Sequence, residues 1–246
     1  MRSVLIFLAV AYDRYMKKSM MALVMAVALT FLSAVGLCLR ALTLPKTATT
    51  AENPLKIVLD AGHGGMDGGV AGKITGVKES EINLAIVIKT ARRLRDLGFE
   101  VVLTRKTEEG LYGVATRGFK KRDMQARKQI VQDAKPALLV SVHQNFYPTK
   151  TPRGAQVFYR KKDENSKSFA DFLQTSLNHL YEEQGAKNRK TTAGEYFMLD
   201  CGNCPSVIVE CGFLSNAQDE RLLISESFQE RIAQSITAGI IAYLSA

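Results

Sequence analysis

The sequence predicts an α/β fold, in which a mainly parallel sheet carries helices on its faces, preceded by an N-terminal membrane or signal segment. Short apolar runs alternate along the chain with segments whose apolar residues recur at helical spacing, which is typical of strands alternating with helices. The 246 residues are 46% hydrophobic and 23% charged. This is the composition of a globular protein with one sizeable core.

The N-terminal segment covers residues 20–39, "MMALVMAVALTFLSAVGLCL", and contains no charged residue. Lys17 and Lys18 precede it and Arg40 follows it. Twenty helical residues span about 30 Å, the thickness of the hydrocarbon core of a bilayer, and a basic flank in front directs the following chain outward. We predict a signal peptide or an uncleaved signal-anchor helix. The anchor is favoured because no clear small-x-small cleavage site follows.

The position of this predicted helix divides the rest of the chain into three segments. Residues 1–19 form the predicted cytoplasmic n-region, in which Met16, directly before two lysines, is an alternative start of translation. Residues 40–54 contain the small and polar run "KTATTAENP" and are predicted as a linker. The exported domain then covers residues 55–246 and is expected to lie outside the cytoplasm, either membrane-anchored or secreted.

The exported domain shows six strand candidates and three helical stripes. The strand candidates are 56–60, 99–104, 138–142, 155–160, 196–199 and 206–210. The first stripe (Leu84, Val87, Ile88, Ala91, Leu94) predicts a helix over 81–97 that Gly98 ends, the second runs from Phe169 to Leu180, and the third from Phe228 to Ile240. In such sheets, binding and catalytic sites lie just beyond the carboxyl ends of the strands.

The charge balance points to anionic surroundings. Lys and Arg outnumber Asp and Glu by 33 to 24, which gives a net charge of +9. Membrane lipid, nucleic acid and an acidic cell wall all fit this balance. No basic run with interleaved aromatic residues indicates nucleic-acid binding, so we expect no nucleic-acid partner.

Two of the three histidines follow apolar strand candidates. His63 ends "IVLDAGH" and His143 ends "LLVSVH", so two parallel strands would bring both imidazoles to the same edge of the sheet. Each could be a solvated loop residue, and the matching positions make a pair of metal ligands an equally good interpretation. His179 lies at the edge of the second stripe and is predicted to be an ordinary helix residue.

Three carboxylates lie in informative places. Glu79 and Glu81 stand at the start of the predicted helix around the N-cap candidate Ser80, where acidic residues are common, and spacing alone does not choose between them. Glu210 ends the strand candidate "SVIVE". A carboxylate there is costly to bury unless it is paired, hydrogen-bonded or beside a metal.

These residue types suit amide hydrolysis. Zinc held by two imidazoles and one carboxylate keeps a coordination position for water, whose pKa the ion lowers to about 7. A further carboxylate that does not bind the metal can take the proton and return it to the leaving amine. The chain offers one more carboxylate than such a metal site needs.

Five segments, in order, resemble the zinc-dependent N-acetylmuramoyl-L-alanine amidases of bacterial cell walls. They are "IVLDAGHGGMDGG", "KESEINLA", "LTR", "LLVSVHQN" and "SVIVECGFLSN", and the resemblance extends from about residue 56 to 244. It implies zinc ligands at His63, Glu79 and His143, with Glu79 chosen over Glu81 by the Asn-Leu that follows, and a catalytic glutamate at Glu210. It also implies a single domain, 55–246, with a twisted, mostly parallel six-stranded sheet flanked by helices.

Within the family, the chain most resembles the germination-specific spore-cortex branch. That resemblance implies cleavage of the muramoyl–L-alanine bond in peptidoglycan on the way to muramic δ-lactam, and an accessory lipoprotein as a candidate partner. A general autolysin of division or mother-cell lysis is the alternative. A non-catalytic wall-binding relative, expected to lack one of the four site residues, and a thiol–disulfide protein are further alternatives.

The remaining signals leave open alternatives. Cys201 and Cys204 are the two cysteines of "CGNC". We interpret them as a loop disulfide or as free thiols, in preference to a redox-active pair. Asp60 either orients a histidine or ends its strand. Arg105 and Arg127 either hold a substrate carboxylate or form surface ion pairs. The glycine-rich loop lacks the Lys-Ser/Thr ending of a phosphate-binding P-loop, which excludes that interpretation.

Overall fold

A computed structural model of the chain describes residues 54–148 and 152–246, together with Met20, Met21 and Met25. The predicted n-region 1–19 lies outside the described residues, as do nearly all of the predicted membrane segment 20–39 and of the linker 40–54. Within the described part of the chain, no helix is both long and apolar enough to span a bilayer.

From residue 54 onward the chain forms one α/β domain, as predicted. Its strands are β1 (Lys56–Ala61), β2 (Glu100–Leu103), β3 (Leu138–Asn145), β4 (Gln156–Arg160), β5 (Thr192–Gly194) and β6 (Ser206–Phe213). Its helices are α1 (Glu79–Asp96), α2 (Phe119–Ala134), α3 (Glu164–Glu182), α4 (Ala217–Leu223) and α5 (Glu226–Leu244), with a 3₁₀ turn at Phe197–Asp200.

The six strands form one sheet in the order β2-β1-β3-β6-β4-β5. Strands β2, β1, β3 and β6 are parallel, β4 runs antiparallel to β6, and β5 is parallel to β4. The mostly parallel six-stranded sheet is therefore confirmed. The carboxyl ends of β1, β3 and β6 meet at one edge, which is where a parallel sheet places a functional site.

Helices cover both faces of the sheet, and this explains the continuous apolar runs in the sequence. On one face, α1, α3 and α5 pack over alternate strand residues such as Ile57, Leu59 and Val140. On the other face, α2 and the 3₁₀ turn cover Val58 and Leu139. The three predicted stripes contribute to the larger cluster, apart from Phe172, which is not part of it, and Ile88, which is 46% exposed.

Two local predictions differ from the structure. The strand predicted over 196–199 is wrong, because Phe197–Asp200 is a 3₁₀ turn and the edge strand β5 comes earlier, at Thr192–Gly194. Helix α2 was not predicted, since its buried residues are Asp123, Arg127 and Val131. Two of these three are charged, so the helix shows no apolar stripe.

Candidate metal centre and active site

His63 lies in the glycine loop that follows β1, with its backbone in the left-handed region at φ 63°. Such a conformation is uncommon outside glycine and needs support from its surroundings. Arg105 supports the loop by donating to the carbonyl oxygens of Ala61 and Gly62, at 2.8 and 3.1 Å. Gly62 in turn donates to the carbonyl oxygen of Val142 at 3.0 Å, which holds the loop against β3.

Glu79 and His143 come from α1 and β3. Helix α1 begins at Glu79, with Lys78 and not Ser80 as its N-cap. Glu79 Oε1 lies 2.9 Å from His143 Nδ1 and 3.3 Å from His63 Nε2. The same oxygen accepts hydrogen bonds from Asn83 Nδ2 and from the backbone N–H of Gln144. One carboxylate oxygen therefore connects the two imidazoles.

The electrostatics of this cluster follow from its burial and its charges. Burial, the largest single effect, works against the charged imidazolium of both histidines. Hydrogen bonding to Glu79 and the negative charges of nearby carboxylates together outweigh it and raise the pKa of His63 and His143. Burial also works against the carboxylate, yet the two imidazoles hold the pKa of Glu79 well below its usual range. The Glu79 carboxylate therefore favours its ionised form, the form in which it can bind a metal.

The three side chains fit a zinc ion. Each offers one ligand atom, and these atoms all lie within 4.8 Å of one another. Two imidazole nitrogens and one carboxylate oxygen form a donor set typical of catalytic zinc, which keeps a further position for water or substrate. Glu81, the other candidate at this helix start, is exposed and does not belong to the cluster.

Glu210 lies beside the cluster on β6, directly opposite His143 in the strand register. Its pKa is raised to about 7, chiefly by burial and also by the charge of Glu79, while the charges of His143 and His63 act in the opposite direction. Its Oε2 atom is buried and has no hydrogen-bond partner among the described residues. A carboxylate with a pKa near neutrality and a free oxygen has the properties of a general base.

The N-acetylmuramoyl-L-alanine amidase family profile matches residues 57–242, three quarters of the chain and nearly all of the described domain. The chain belongs to this family. Its members act as N-acetylmuramoyl-L-alanine amidases on peptidoglycan, so the chain is an enzyme of that activity, as the sequence motifs predicted.

Known amidases share both sequence and fold with this chain. The germination-specific N-acetylmuramoyl-L-alanine amidase of Bacillus subtilis is 32% identical over 76% of this chain and 78% of its own. The CwlD amidase from Clostridioides difficile, solved in complex with the GerS lipoprotein, is 36% identical with a TM-score of 0.74, over 78% of this chain and 98% of that one. The catalytic domain of CwlV from Bacillus (Paenibacillus) polymyxa is 30% identical with a TM-score of 0.67, over 78% and 98%.

Sequence reasoning missed one residue of the candidate site. Asp67 Oδ2 lies 3.1 Å from His63 Nδ1, so this carboxylate orients the imidazole from the side opposite Glu79. Imidazoles that bind a metal usually donate their other N–H to such a group. The signal was present in the sequence, because Asp67 follows His63 by four residues within "HGGMD".

Asp60 has a different role from either alternative considered for it. It forms no hydrogen bond to a histidine within the described chain. It accepts hydrogen bonds from Thr104, Ser141 and Arg127, at 2.7, 2.6 and 2.6 Å. Burial works against its charge, but Arg127 and the two hydroxyls lower its pKa to about 2.

Arg105 and Arg127 do not form surface ion pairs, since each is at most 3% exposed. Arg127 also lines the cavity beside His63 and His143. Arg105 binds backbone carbonyls, and Arg127 binds Asp60, Asp123 and the carbonyl oxygens of Ala61 and His63. Both arginines therefore fix the loop that carries His63.

The three cysteines of the described domain and the third histidine contribute no ligand to the candidate metal site. Cys201, Cys204 and Cys211 are free thiols and are buried, so the free-thiol alternative is correct. Burial raises the pKa of all three, to about 11 for Cys201. Such thiols carry little thiolate and are poor nucleophiles. His179 is an exposed residue of α3, as predicted.

Proposed function

We propose that this amidase uses zinc held by His63, Glu79 and His143, with Glu210 as its catalytic base, to hydrolyse the bond between N-acetylmuramic acid and L-alanine. The observation that carries the proposal is the convergence of three zinc-type ligands with a buried, unpartnered carboxylate at one edge of the sheet. Among the described residues the triad has no fourth protein ligand of the kind that closes a structural site, and this is the arrangement expected of catalytic zinc.

The chain's own residues divide the work of hydrolysis. Zinc, when bound, supplies a Lewis acid that polarises the scissile carbonyl and acidifies water. Glu210 takes the proton from the attacking water and delivers it to the amine of L-alanine as the C–N bond breaks. Asp67 holds the imidazole of His63 in one orientation. Glu79 is itself fixed by the backbone N–H of Val70 at 3.0 Å.

For the biological substrate we propose the spore cortex, where removal of the peptide prepares muramic δ-lactam. The support is the similarity to the germination-specific amidase of Bacillus subtilis. A general autolysin is the alternative, since amidase LytC of Bacillus subtilis is 29% identical over 80% of this chain, although over only 38% of its own length. A non-catalytic relative is disfavoured because all four site residues are present.

We further propose an extracytoplasmic enzyme held at the membrane by residues 20–39, or secreted if that segment is cleaved, with residues 55–246 as the catalytic domain. An accessory lipoprotein is a candidate partner. The support for this partner is the solved complex of the similar CwlD amidase with the GerS lipoprotein.

The test is digestion of purified peptidoglycan, of both spore-cortex and vegetative type, with the enzyme before chelation, after chelation and after zinc is added back. Mass spectrometry would measure free stem peptides that begin with L-alanine. We expect release that chelation abolishes and zinc restores. Release that survives complete removal of metal would contradict the zinc mechanism, and equal release from both walls would favour the autolysin alternative.

A further inference from the structure

A second cleft lies beside Glu210, on the β4 side of the site. Its volume is about 580 Å³, and it is lined by Asn145, Tyr147, Gln156, Phe158, Arg189 and Phe213 among others. It shares no lining residue with the smaller cavity, of about 120 Å³, beside His63 and His143. The candidate active site therefore has a cavity on each side.

The strand register places this second cleft in line with the catalytic residues. His143 on β3 pairs with Glu210 on β6, and Glu210 pairs with Gln156 on β4. Directly opposed residues project from the same face, and neighbouring strands lie about 4.8 Å apart. A substrate whose scissile bond lies at Glu210 would therefore reach Gln156 about one strand further on.

The cation of this cleft, Arg189, is held in place from both ends. Its backbone N–H donates to Asn178 Oδ1 at 3.1 Å, and its carbonyl oxygen accepts from Asn178 Nδ2 at 2.9 Å. Its Nη2 donates to Gln156 Oε1 at 2.6 Å, and its guanidinium lies over the ring of Phe213, 5.1 Å from the centroid. An arginine fixed in this way loses little conformational entropy when it binds an anion.

The charge of Arg189 has no anionic partner in the described part of the chain. The negative charge of Asp219 is felt at Arg189 but forms no ion pair with it. Asp219 is instead paired with Arg153 at 3.1 Å and accepts a backbone hydrogen bond from Gly154 at 2.8 Å. The Nε atom of Arg189 is buried without a hydrogen-bond partner among the described residues. A partly buried guanidinium with unused donors is suited to a carboxylate ligand.

We propose that Arg189, positioned by Gln156, binds a carboxylate of the leaving stem peptide; this rests on the proposed function. Glu210 protonates the amine of L-alanine, so the peptide continues from Glu210 and the β4 cleft is the adjoining space. The acidic residue after L-alanine is joined through its side chain in peptidoglycan and presents a free α-carboxylate. Tyr147, Phe158 and Phe213 supply apolar walls for the rest of the stem.

The proposal is tested by binding of product peptide to the full-length protein in detergent, measured by isothermal titration calorimetry. The probes are L-alanyl-γ-D-glutamyl-L-lysine and the same peptide with the glutamyl α-carboxylate converted to the amide. We expect the free acid to bind about 10- to 100-fold more tightly, because hydrogen bonds to charged groups are the strong ones. Arg189→Met should lower the affinity for the acid to that for the amide, and Arg189→Lys should lie between.

The matched control is Arg231→Met, because Arg231 also lies over a phenylalanine ring, that of Phe228 at 5.7 Å, but away from the cleft. It should leave both affinities unchanged. Equal affinity of the wild type for the two peptides, no binding of either at millimolar concentration, or equal loss for both in Arg189→Met would overturn the proposal. Hydrolysis is assayed separately, so a protein that distinguishes the peptides without cleaving peptidoglycan would retain this subsite and lose the proposed function.

Discussion

Arg127 donates a hydrogen bond from Nη2 to the main-chain carbonyl oxygen of His63, at 2.5 Å. The arginine lies on α2 and is 1% exposed, and the histidine lies at a positive φ in the loop after β1. The same guanidinium also binds Asp60 and Asp123, each at 2.6 Å. A buried ion cluster thus underlies the strained backbone that presents the first predicted ligand.

Arg127→Met should destabilise the fold and weaken metal binding together. It would leave Asp60 and Asp123 buried without their partner, which costs about 3–5 kcal/mol when one member of a buried ion pair is removed. Urea unfolding followed by circular dichroism measures the first effect, and zinc affinity by competition with a chelator measures the second. Arg122→Met, on the same helix but bound only to carbonyls and one hydroxyl near the surface, is the control. An unchanged urea midpoint for Arg127→Met would show that the cluster contributes no stability.

At low pH, protonation of Asp60 should lower the free energy of unfolding. Its pKa is about 2 in the folded protein against 3.8 for the free side chain. Between these values the unfolded chain binds a proton that the folded chain does not, so stability is full above about pH 4 and falls as the pH drops towards 2. The contribution is about 2 kcal/mol, since each unit of pKa corresponds to about 1.4 kcal/mol. Urea midpoints of the metal-free protein from pH 5 to 2 should fall less steeply for Asp60→Asn than for the wild type, and parallel curves would refute the assignment.

Gly62→Ala should displace His143. A Cβ atom at Gly62 would lie 2.2 Å from Cε1 of the His143 imidazole, so the ring or the loop must move. We expect a loss of zinc affinity of about 10-fold or more, as for other changes that disturb the orientation of a ligand. Gly68→Ala is the control in the same loop, because its Cβ would meet only the side-chain stem of Lys78, at 3.2 Å or more, and no residue of the candidate site. Equal zinc affinity for Gly62→Ala and the wild type would contradict this packing argument.

The sequence predicted the elements whose residues are apolar and regularly spaced. Strands β1, β3 and β6 are apolar runs in the sequence because helices cover both faces of the sheet. Helix α5 shows an apolar stripe because only one of its faces packs into the core. Helix α2 was missed because its buried positions Asp123 and Arg127 pair with other polar groups. The three-residue strand β5 was misplaced because its residues are small or polar and mostly exposed.

The sequence predicted the residues of the candidate site but not the hydrogen-bond network that supports them. The positions of His63, His143 and Glu210 follow from strand order, since parallel strands end at one edge, but the choice of Glu79 needed the family motif. The roles of Asp60, Arg105 and Arg127 depend on contacts between residues that are far apart in the chain. Spacing in sequence cannot distinguish a buried arginine that binds loop carbonyls from one that binds a substrate.

The thiols should be inert in the native protein. Cys201, Cys204 and Cys211 are buried, and burial raises the pKa of each. Treatment with iodoacetamide at pH 8 should leave these three unmodified and the amidase activity intact, with modification only in urea. Peptide mapping by mass spectrometry reports each site separately and so distinguishes these three from the fourth cysteine of the sequence, Cys38, in the predicted membrane segment. Loss of activity in proportion to modification of Cys201 or Cys204 would favour the thiol–disulfide alternative.

Metal binding and catalysis should separate at Glu210 and His143. Glu210→Gln keeps the size of the side chain but cannot accept a proton, so we expect bound zinc to remain while kcat falls by about 10²–10⁴, the usual contribution of a general base. His143→Ala removes a ligand atom, so zinc content and activity should fall together. Zinc is measured by atomic emission and turnover by release of L-alanyl peptides, with His179→Ala as the control because His179 is an exposed residue of α3. Near-normal turnover in Glu210→Gln would reject the assigned base, and a full zinc content in His143→Ala would reject the assigned ligand. Because Glu210→Gln should lower turnover with zinc retained, whereas His143→Ala should lower both, the zinc content separates the loss of the base from the loss of a ligand.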